Sequence, residues 1–337
     1  MNNIKYIILC LILLIASSCQ TDVKQAADSE QKQEEKPGNK LDELSVQIEQ
    51  DTTNAVLYFD RANAYLAERD VSSAADDVLK AMELDPKNSK YYQLASEILL
   101  KINDSESAIN MLKRGLHIKP FNIPMRLEIA KLYLITKDYK SCEKNLNTVL
   151  NFDESNATAY FYKGMLSKEQ SQPADMIEHF KKAVQLDPDN LESHMQLGLN
   201  YSSQNNPIAI AHFDNVIRID ETSLEAYYAK ALFYQKNNDF PEAKKIYKQI
   251  NANFPPYYNS LYNIGWMLFQ EDSVELAQKH FNMAVKAAPS FSNGYHMRGL
   301  CSEVLGEKEK AIADYEQCLV FKEDHTQALE GLKRLGK

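Results

Sequence analysis

The side chains able to do chemistry are few and scattered. Five cysteines, seven histidines and 47 carboxylates are spread over 337 residues, and no spacing among them assembles a catalytic or metal centre. The sequence has no GxxxxGK[ST] phosphate loop, no GxSxG nucleophile turn, no HExxH zinc helix and no CxxC pair. One thiol stands apart. Cys19 follows Ser17 and Ser18, directly behind an apolar run at residues 6–15 that opens after Lys5. Ten apolar residues are too few to span a bilayer, and they fit the core of a signal peptide. Cys19 therefore sits where such a leader would end.

The run Ile15-Ala16-Ser17-Ser18-Cys19 resembles a bacterial lipobox, with Ser18 standing where Gly or Ala is usual. The resemblance implies that residues 1–18 are removed and that Cys19 becomes an acylated N-terminus. Two or three acyl chains, at about 0.8 kcal/mol per buried methylene, hold a protein to a membrane where one is marginal. Gln20 follows in place of the Asp that retains some lipoproteins in the inner membrane, so an outer-membrane lipoprotein of the cell envelope is expected. Residues 19–40 are rich in Gln, Glu, Lys and Asp and almost free of large apolar side chains, which predicts a disordered tether. Its mean reach would be roughly 25 Å.

What any functional side chain must be mounted on is a repeat. Residues 260–289 read as two amphipathic helices, with Leu261, Ile264, Gly265 and Leu268 on one and Ala277, Phe281 and Ala284 on the other. A fixed step carries this pattern along the chain. Small residues recur at Ala62, Ser96, Ala130, Gly164, Gly198, Ala231, Gly265 and Gly299 on the first helix. On the second helix Ala74, Ala108, Cys142, Met176, Ala209, Ala243, Ala277 and Ala311 are each followed four residues later by a large one, from Val78 to Tyr315. The phase holds once a single one-residue deletion near Pro207 is allowed.

This 34-residue pattern resembles the tetratricopeptide repeat (TPR). The resemblance implies an all-α fold, a right-handed α-solenoid of eight helix-turn-helix units at 55–88, 89–122, 123–156, 157–190, 191–223, 224–257, 258–291 and 292–325. A half-repeat helix at 41–54, with Leu41, Leu44 and Ile48 in helical spacing, is expected to cover the first unit. A capping helix at 326–337, with Ala328, Leu329, Leu332 and Leu335 on one face, is expected to cover the last.

In TPR arrays the first helices line a concave groove through the second, fifth, ninth, twelfth and thirteenth residues of each unit. That phase assigns Phe59, Leu66, Leu127, Leu134, Phe161, Met165, Met195, Leu199, Tyr228 and Leu232 to an exposed groove. Tyr262, Trp266, Phe269, His296 and Leu300 continue it. A row of aromatic and apolar anchors over consecutive units suits capture of a protein segment. Lys90, Lys101, Lys131 and Lys168 make the first half of the groove more basic, and Glu192, Glu225 and Glu303 the second more acidic. A dicarboxylate clamp of the chaperone-adaptor type is rejected, because Phe59 stands where that clamp needs Lys, although Asn63 matches.

Composition narrows the remaining choices. The net charge of −9 offers no basic patch for nucleic acid. Cys142, Cys301 and Cys318 are too few and too spread for a disulfide framework, although Cys301 and Cys318 fall on the two helices of one unit and could bridge. His194 and His296 on first helices, and His179, His212 and His280 on second helices, read as packed or solvated residues, not ligands. The sequence thus predicts a non-enzymatic scaffold without cofactor, which binds protein in its groove and membrane through a lipid. A homodimer is the alternative.

Overall fold

A computed structural model describes residues 37–337; the leader, Cys19 and the tether as far as residue 36 lie outside them. The described residues form helices without strands. Helix α1 (Pro37–Gln50) is followed by eight helical hairpins. Their first helices are α2 (Ala55–Ala67), α4 (Ser89–Lys101), α6 (Ile123–Ile135), α8 (Ala157–Glu169), α10 (Leu191–Ser203), α12 (Leu224–Lys236), α14 (Tyr258–Gln270) and α16 (Ser292–Val304). The second helices are α3 (Val71–Leu84), α5 (Ser105–Ile118), α7 (Tyr139–Phe152), α9 (Pro173–Leu186), α11 (Ile208–Ile219), α13 (Phe240–Asn253), α15 (Val274–Ala287) and α17 (Lys308–Phe321). Helix α18 (Thr326–Arg334) follows the last hairpin.

Each hairpin closes on the small residue of its first helix. A Cβ at Gly164 would lie 2.5 Å from the Phe180 ring, and one at Gly265 2.9 Å from that of Phe281. Where the facing residue is aliphatic, as at Val78, Leu112 and Leu146, the small residue is Ala62, Ser96 or Ala130, each fully buried. Both sides of the joint are thus sized to fill one volume at crystal-like density.

The turns and caps repeat as regularly as the core. Between the two helices of every hairpin one residue adopts a left-handed backbone: Arg69, Asn103, Lys137, Ser171, Asn205, Asn238, Asp272 and Gly306, with φ between 57° and 76°. The residue after it then caps the second helix, as Asp70, Asp104 and Asp138 do by accepting from the N–H groups of Ser73, Ser107 and Ser141. First helices α2, α4, α6, α8 and α10 are capped by the side chains of Asn54, Asn88, Asn122, Asn156 and Asn190. At α14 and α16 the cap positions hold Tyr257 and Phe291, which give no side-chain hydrogen bond. Their rings pack on neighbouring rings instead, Tyr257 edge-on to Tyr228 at 5.4 Å and Phe291 tilted against Tyr258 at 4.8 Å.

Three details differ from the sequence expectation. Helix α1 starts at Pro37, four residues inside the stretch expected as tether, because proline at a first helical position loses nothing by its missing N–H. The absent residue of the fifth unit is taken from the first turn of α11, between the left-handed Asn205 and the buried Ala209, so α11 has 12 residues where the other second helices have 14. In α18, Ala328 is buried and Leu332 and Leu335 pack on Tyr315 and Cys318, while Leu329 points out to solvent.

Candidate functional site

The inner side of the array is set by which helices approach one another across units. Consecutive first helices touch, α6 with α8, α10 with α12 and α14 with α16, whereas no pair of second helices comes as close. The chain therefore curves with its first helices on the inside.

On that inner side the expected anchors divide by register. Residues at the fifth position of each unit turn down onto the second helix. Phe161 lies 5.9 Å from Phe180, Tyr228 5.8 Å from Tyr247, Tyr262 5.4 Å from Phe281 and His296 6.0 Å from Tyr315, ring centre to ring centre. Phe59 reaches Tyr91 of the next unit at 5.2 Å. Leu127 packs into the cluster around Cys142 and Leu146. Met195 is 6% exposed, a core residue. The exposure expected for these side chains is corrected by the structure: they are half-buried, or buried for Met195, because the large residue below each one offers more apolar contact than water does.

Ninth positions stand higher. Met165, Leu199, Leu232, Trp266 and Leu300 form an apolar row along α8, α10, α12, α14 and α16, with Leu199 37% and Leu232 39% exposed. Trp266 is half-buried, edge-on to Phe240 at 5.9 Å, and Phe269 is half-buried beside Phe281 and Met297. In the first three units the same position holds Asn63, Glu97 and Lys131, so the row begins only at the fourth. Ile135 and Val304, at the thirteenth position, are also exposed. The register had marked that position, but neither residue was named from the sequence.

The charges fall partly as expected. Lys90, Lys101, Lys131 and Lys168 are exposed, as are Glu192 and Glu225. Lys168 donates to Gln196 at 2.8 Å and Lys101 lies 3.7 Å from Glu97. Glu303 is not free: it accepts from Arg334 twice at 2.8 Å and from the Tyr315 hydroxyl. Arg334 holds its carboxyl below the usual range.

The histidines are paired, which their sequence spacing did not reveal. His194 Nδ1 and His212 Nδ1 are 3.0 Å apart, and His194 Nε2 is 3.1 Å from the Pro188 carbonyl. The carbonyl requires a proton on Nε2, so His194 Nδ1 accepts and His212 Nδ1–H donates. His212, stacked on Tyr201, has its pKa pushed down to about 4 by burial and by the neighbouring His194 and Lys181. His296 lies 4.8 Å from His325, and burial first, then His325 and Arg334, also push it down to about 4. Both pairs are neutral packing elements at pH 7. Cys142, Cys301 and Cys318 are free and fully buried, so Cys301 and Cys318 are not bridged. Burial pushes the Cys142 and Cys301 thiols up to about 12. Among the described residues no group of three or more His, Cys, Asp or Glu could hold a metal ion, and no helix is long and apolar enough to cross a membrane.

Family models of the tetratricopeptide repeat match residues 157–190, 228–290 and 292–325. A DnaJ homolog subfamily C member 7 homolog of Dictyostelium discoideum is 25% identical over 277 residues, which are 77% of this chain and 47% of that protein. The human mitochondrial import receptor subunit TOM70 is 31% identical over 94 residues, 27% of this chain and 16% of the receptor. The chain thus spans less than half the length of these curated relatives. Among solved structures, the C-terminal part of a TPR repeat-containing protein from Cytophaga hutchinsonii superposes with a TM-score of 0.60 at 19% identity, covering 70% of this chain and 98% of that one. Yeast Tom70 gives 0.54 at 16% identity, covering 81% and 59%. The chain carries tetratricopeptide repeats at the matched residues, on a helical solenoid.

Proposed function

We propose that this protein is a lipid-anchored scaffold of the cell envelope that holds a segment of a partner protein along the inner face of units four to eight. The observation that carries the reading is the apolar row Met165, Leu199, Leu232, Trp266 and Leu300, in which Leu199 and Leu232 are exposed and the other three half-buried. Five apolar side chains on parallel helices supply the buried centre that a protein contact needs, and the charged residues beside them supply its rim. A protein partner also agrees with the import-receptor relative. The anchor rests on Cys19 behind its leader-like run, and two or three acyl chains there hold the array near a membrane. No catalytic role is proposed.

The test uses the full chain in its own cell, with in-cell crosslinking and mass spectrometry of both the partners and the N-terminus. An acylated Cys19 and an envelope protein whose crosslinks map to α10–α14 are expected, and both Leu232→Asp and Trp266→Ala abolish those crosslinks. An unmodified N-terminus overturns the anchor, and crosslinks unaffected by both substitutions overturn the groove. A second reading, self-association, is favoured by Val320 and Leu329, exposed by 72% and 49% at the C-terminal end. Crosslinks recovered only between copies of this chain, mapping to α17 and α18, select it.

A further inference from the structure

The outer face carries a feature that the inner groove does not explain. Between α15 and α17 lies a cleft of about 370 Å³, lined also by residues of α16. Three of its lining side chains are cations, Lys279 on α15, Arg298 on α16 and Lys310 on α17, and they stand beside Asn282, Ser302 and Asp314.

The arrangement is fixed from below. The Arg298 guanidinium donates to both Asp314 oxygens at 2.6 and 2.9 Å and to Asn282 Oδ1 at 2.7 Å. Three of its five N–H donors are engaged, so two remain, and the Asn282 amide nitrogen remains with them. Ser302 accepts from Gln278 at 2.9 Å, which also donates to Glu307 at 3.0 Å and so holds the α15 wall to the start of α17. At the rim Lys310 is shared with Glu307 at 2.8 Å, and Lys279 forms no ion pair among the described residues. Arg298 is bound to Asp314 and Lys310 to Glu307, so Lys279 is the one lining cation without an ion-pair partner among the described residues.

Its Arg–Asp floor recurs in the first hairpin, where Arg61 donates to both Asp77 oxygens and to Ser45, but there Asp42 and Ser73 stand in place of Lys279 and Lys310. At the same register between α3 and α5, the positions of Asn282, Arg298, Ser302 and Asp314 are held by Leu79, Ala95, Leu99 and Met111, and Asp76 stands in place of Lys279. A local excess of positive charge in a protein of net charge −9 is complementary to anions and repels few of them at close range. Cavities of this volume hold small molecules or one or two side chains.

We propose that the cleft between α15 and α17 is a binding site for a compact, multiply charged oxyanion. Carboxylate or phosphate oxygens would be taken by Lys279, Lys310 and the two spare Arg298 donors. Charge-assisted bonds from a prepositioned guanidinium are the strong kind, and Asp314 holds Arg298 in place at no cost to be met on binding. Two sources share this chemistry: a free small polyanion, and the acidic side chains of a protein segment.

Calorimetric titration of the full chain at physiological salt separates them, with citrate and inorganic pyrophosphate as small probes and a capped Glu-rich peptide as the protein-like one. Saturable binding of at least one probe is expected, weakened about tenfold or more in the K279Q/K310Q chain and unchanged by K140Q at the exposed Lys140 of α7, outside the cleft. Tight binding of citrate or pyrophosphate alone assigns a small molecule, and preference for the peptide assigns a partner segment. Both lysines are exposed, so the double variant keeps its circular dichroism and melting temperature. No saturable binding of any probe, or equal affinity in the folded double variant, overturns the site.

Discussion

Gly198 and Phe213 meet so closely that a Cβ on the glycine would lie 2.6 Å from the phenylalanine ring. The same contact recurs between Gly164 and Phe180, Gly265 and Phe281, and Gly299 and Tyr315. Ala231 opposite Tyr247 is the exception among aromatic partners. There the ring is tied at its hydroxyl, which donates to Gln235 and accepts from Asn263, each at 2.9 Å. Gly198→Ala gains helix propensity of nearly 1 kcal/mol but forces Phe213 off its seat, so a net loss of about 1–2 kcal/mol is expected in chemical unfolding. G198A/F213L, which restores the Ala–Leu combination seen at Ala130 and Leu146, recovers part of that loss.

The left-handed turn residues offer the opposite sign. Arg69 and Lys137, at φ 64° and 61°, carry a Cβ in a region that glycine enters freely. Arg69→Gly and Lys137→Gly are each expected to raise the unfolding free energy by about 0.5–1 kcal/mol, the relief of strain exceeding the added entropy of the unfolded chain. Gly306→Ala, at φ 76°, lowers it by about 1 kcal/mol. Urea unfolding of the three variants checks both directions.

Acid weakens the protein through its histidines before its carboxylates. His212 and His296 titrate near 4 in the folded chain against an ordinary value of 6.5. The unfolded chain therefore takes up protons first as the pH drops. Their contribution to stability is complete above about pH 6.5 and drains away toward pH 4, by about 1–2 kcal/mol each after allowance for partial solvent contact. An H212Q/H296Q chain is expected to lose less stability than the natural one between about pH 7.5 and 5, measured by urea midpoint.

Thiol labelling tests the core directly. With Cys142 and Cys301 held near 12 and all three described cysteines inaccessible, iodoacetamide leaves them unmodified in the native protein and alkylates them in denaturant. Peptide mass mapping reads the difference.

The repeat was legible because its requirements are local. Small residues at Ala62 or Gly265 and large ones at Val78 or Phe281 announce a close helix pair by type and spacing alone. What escaped depends on directions that spacing does not encode. Tyr228 and Tyr262 sit at groove positions, yet the aromatic residue of the second helix draws each ring downward. The turn at Arg69 or Lys137 lacks the glycine that would mark its backbone. His194 and His212 meet only through the hairpin, 18 positions apart. The cleft around Arg298 joins three helices, and no single amphipathic pattern records it.

The exchange of Asn190 for Tyr257 and Phe291 at helix starts divides the array by its response to temperature. Asparagine caps hold the N-terminal joints by directional hydrogen bonds, whereas the joints around Tyr228, Tyr258 and Tyr262 rest on ring burial, which weakens on cooling. In a chain whose stability is a sum over neighbours, the two ends then have different temperatures of greatest strength. The C-terminal joints are therefore expected to lose relatively more strength on cooling than the N-terminal ones.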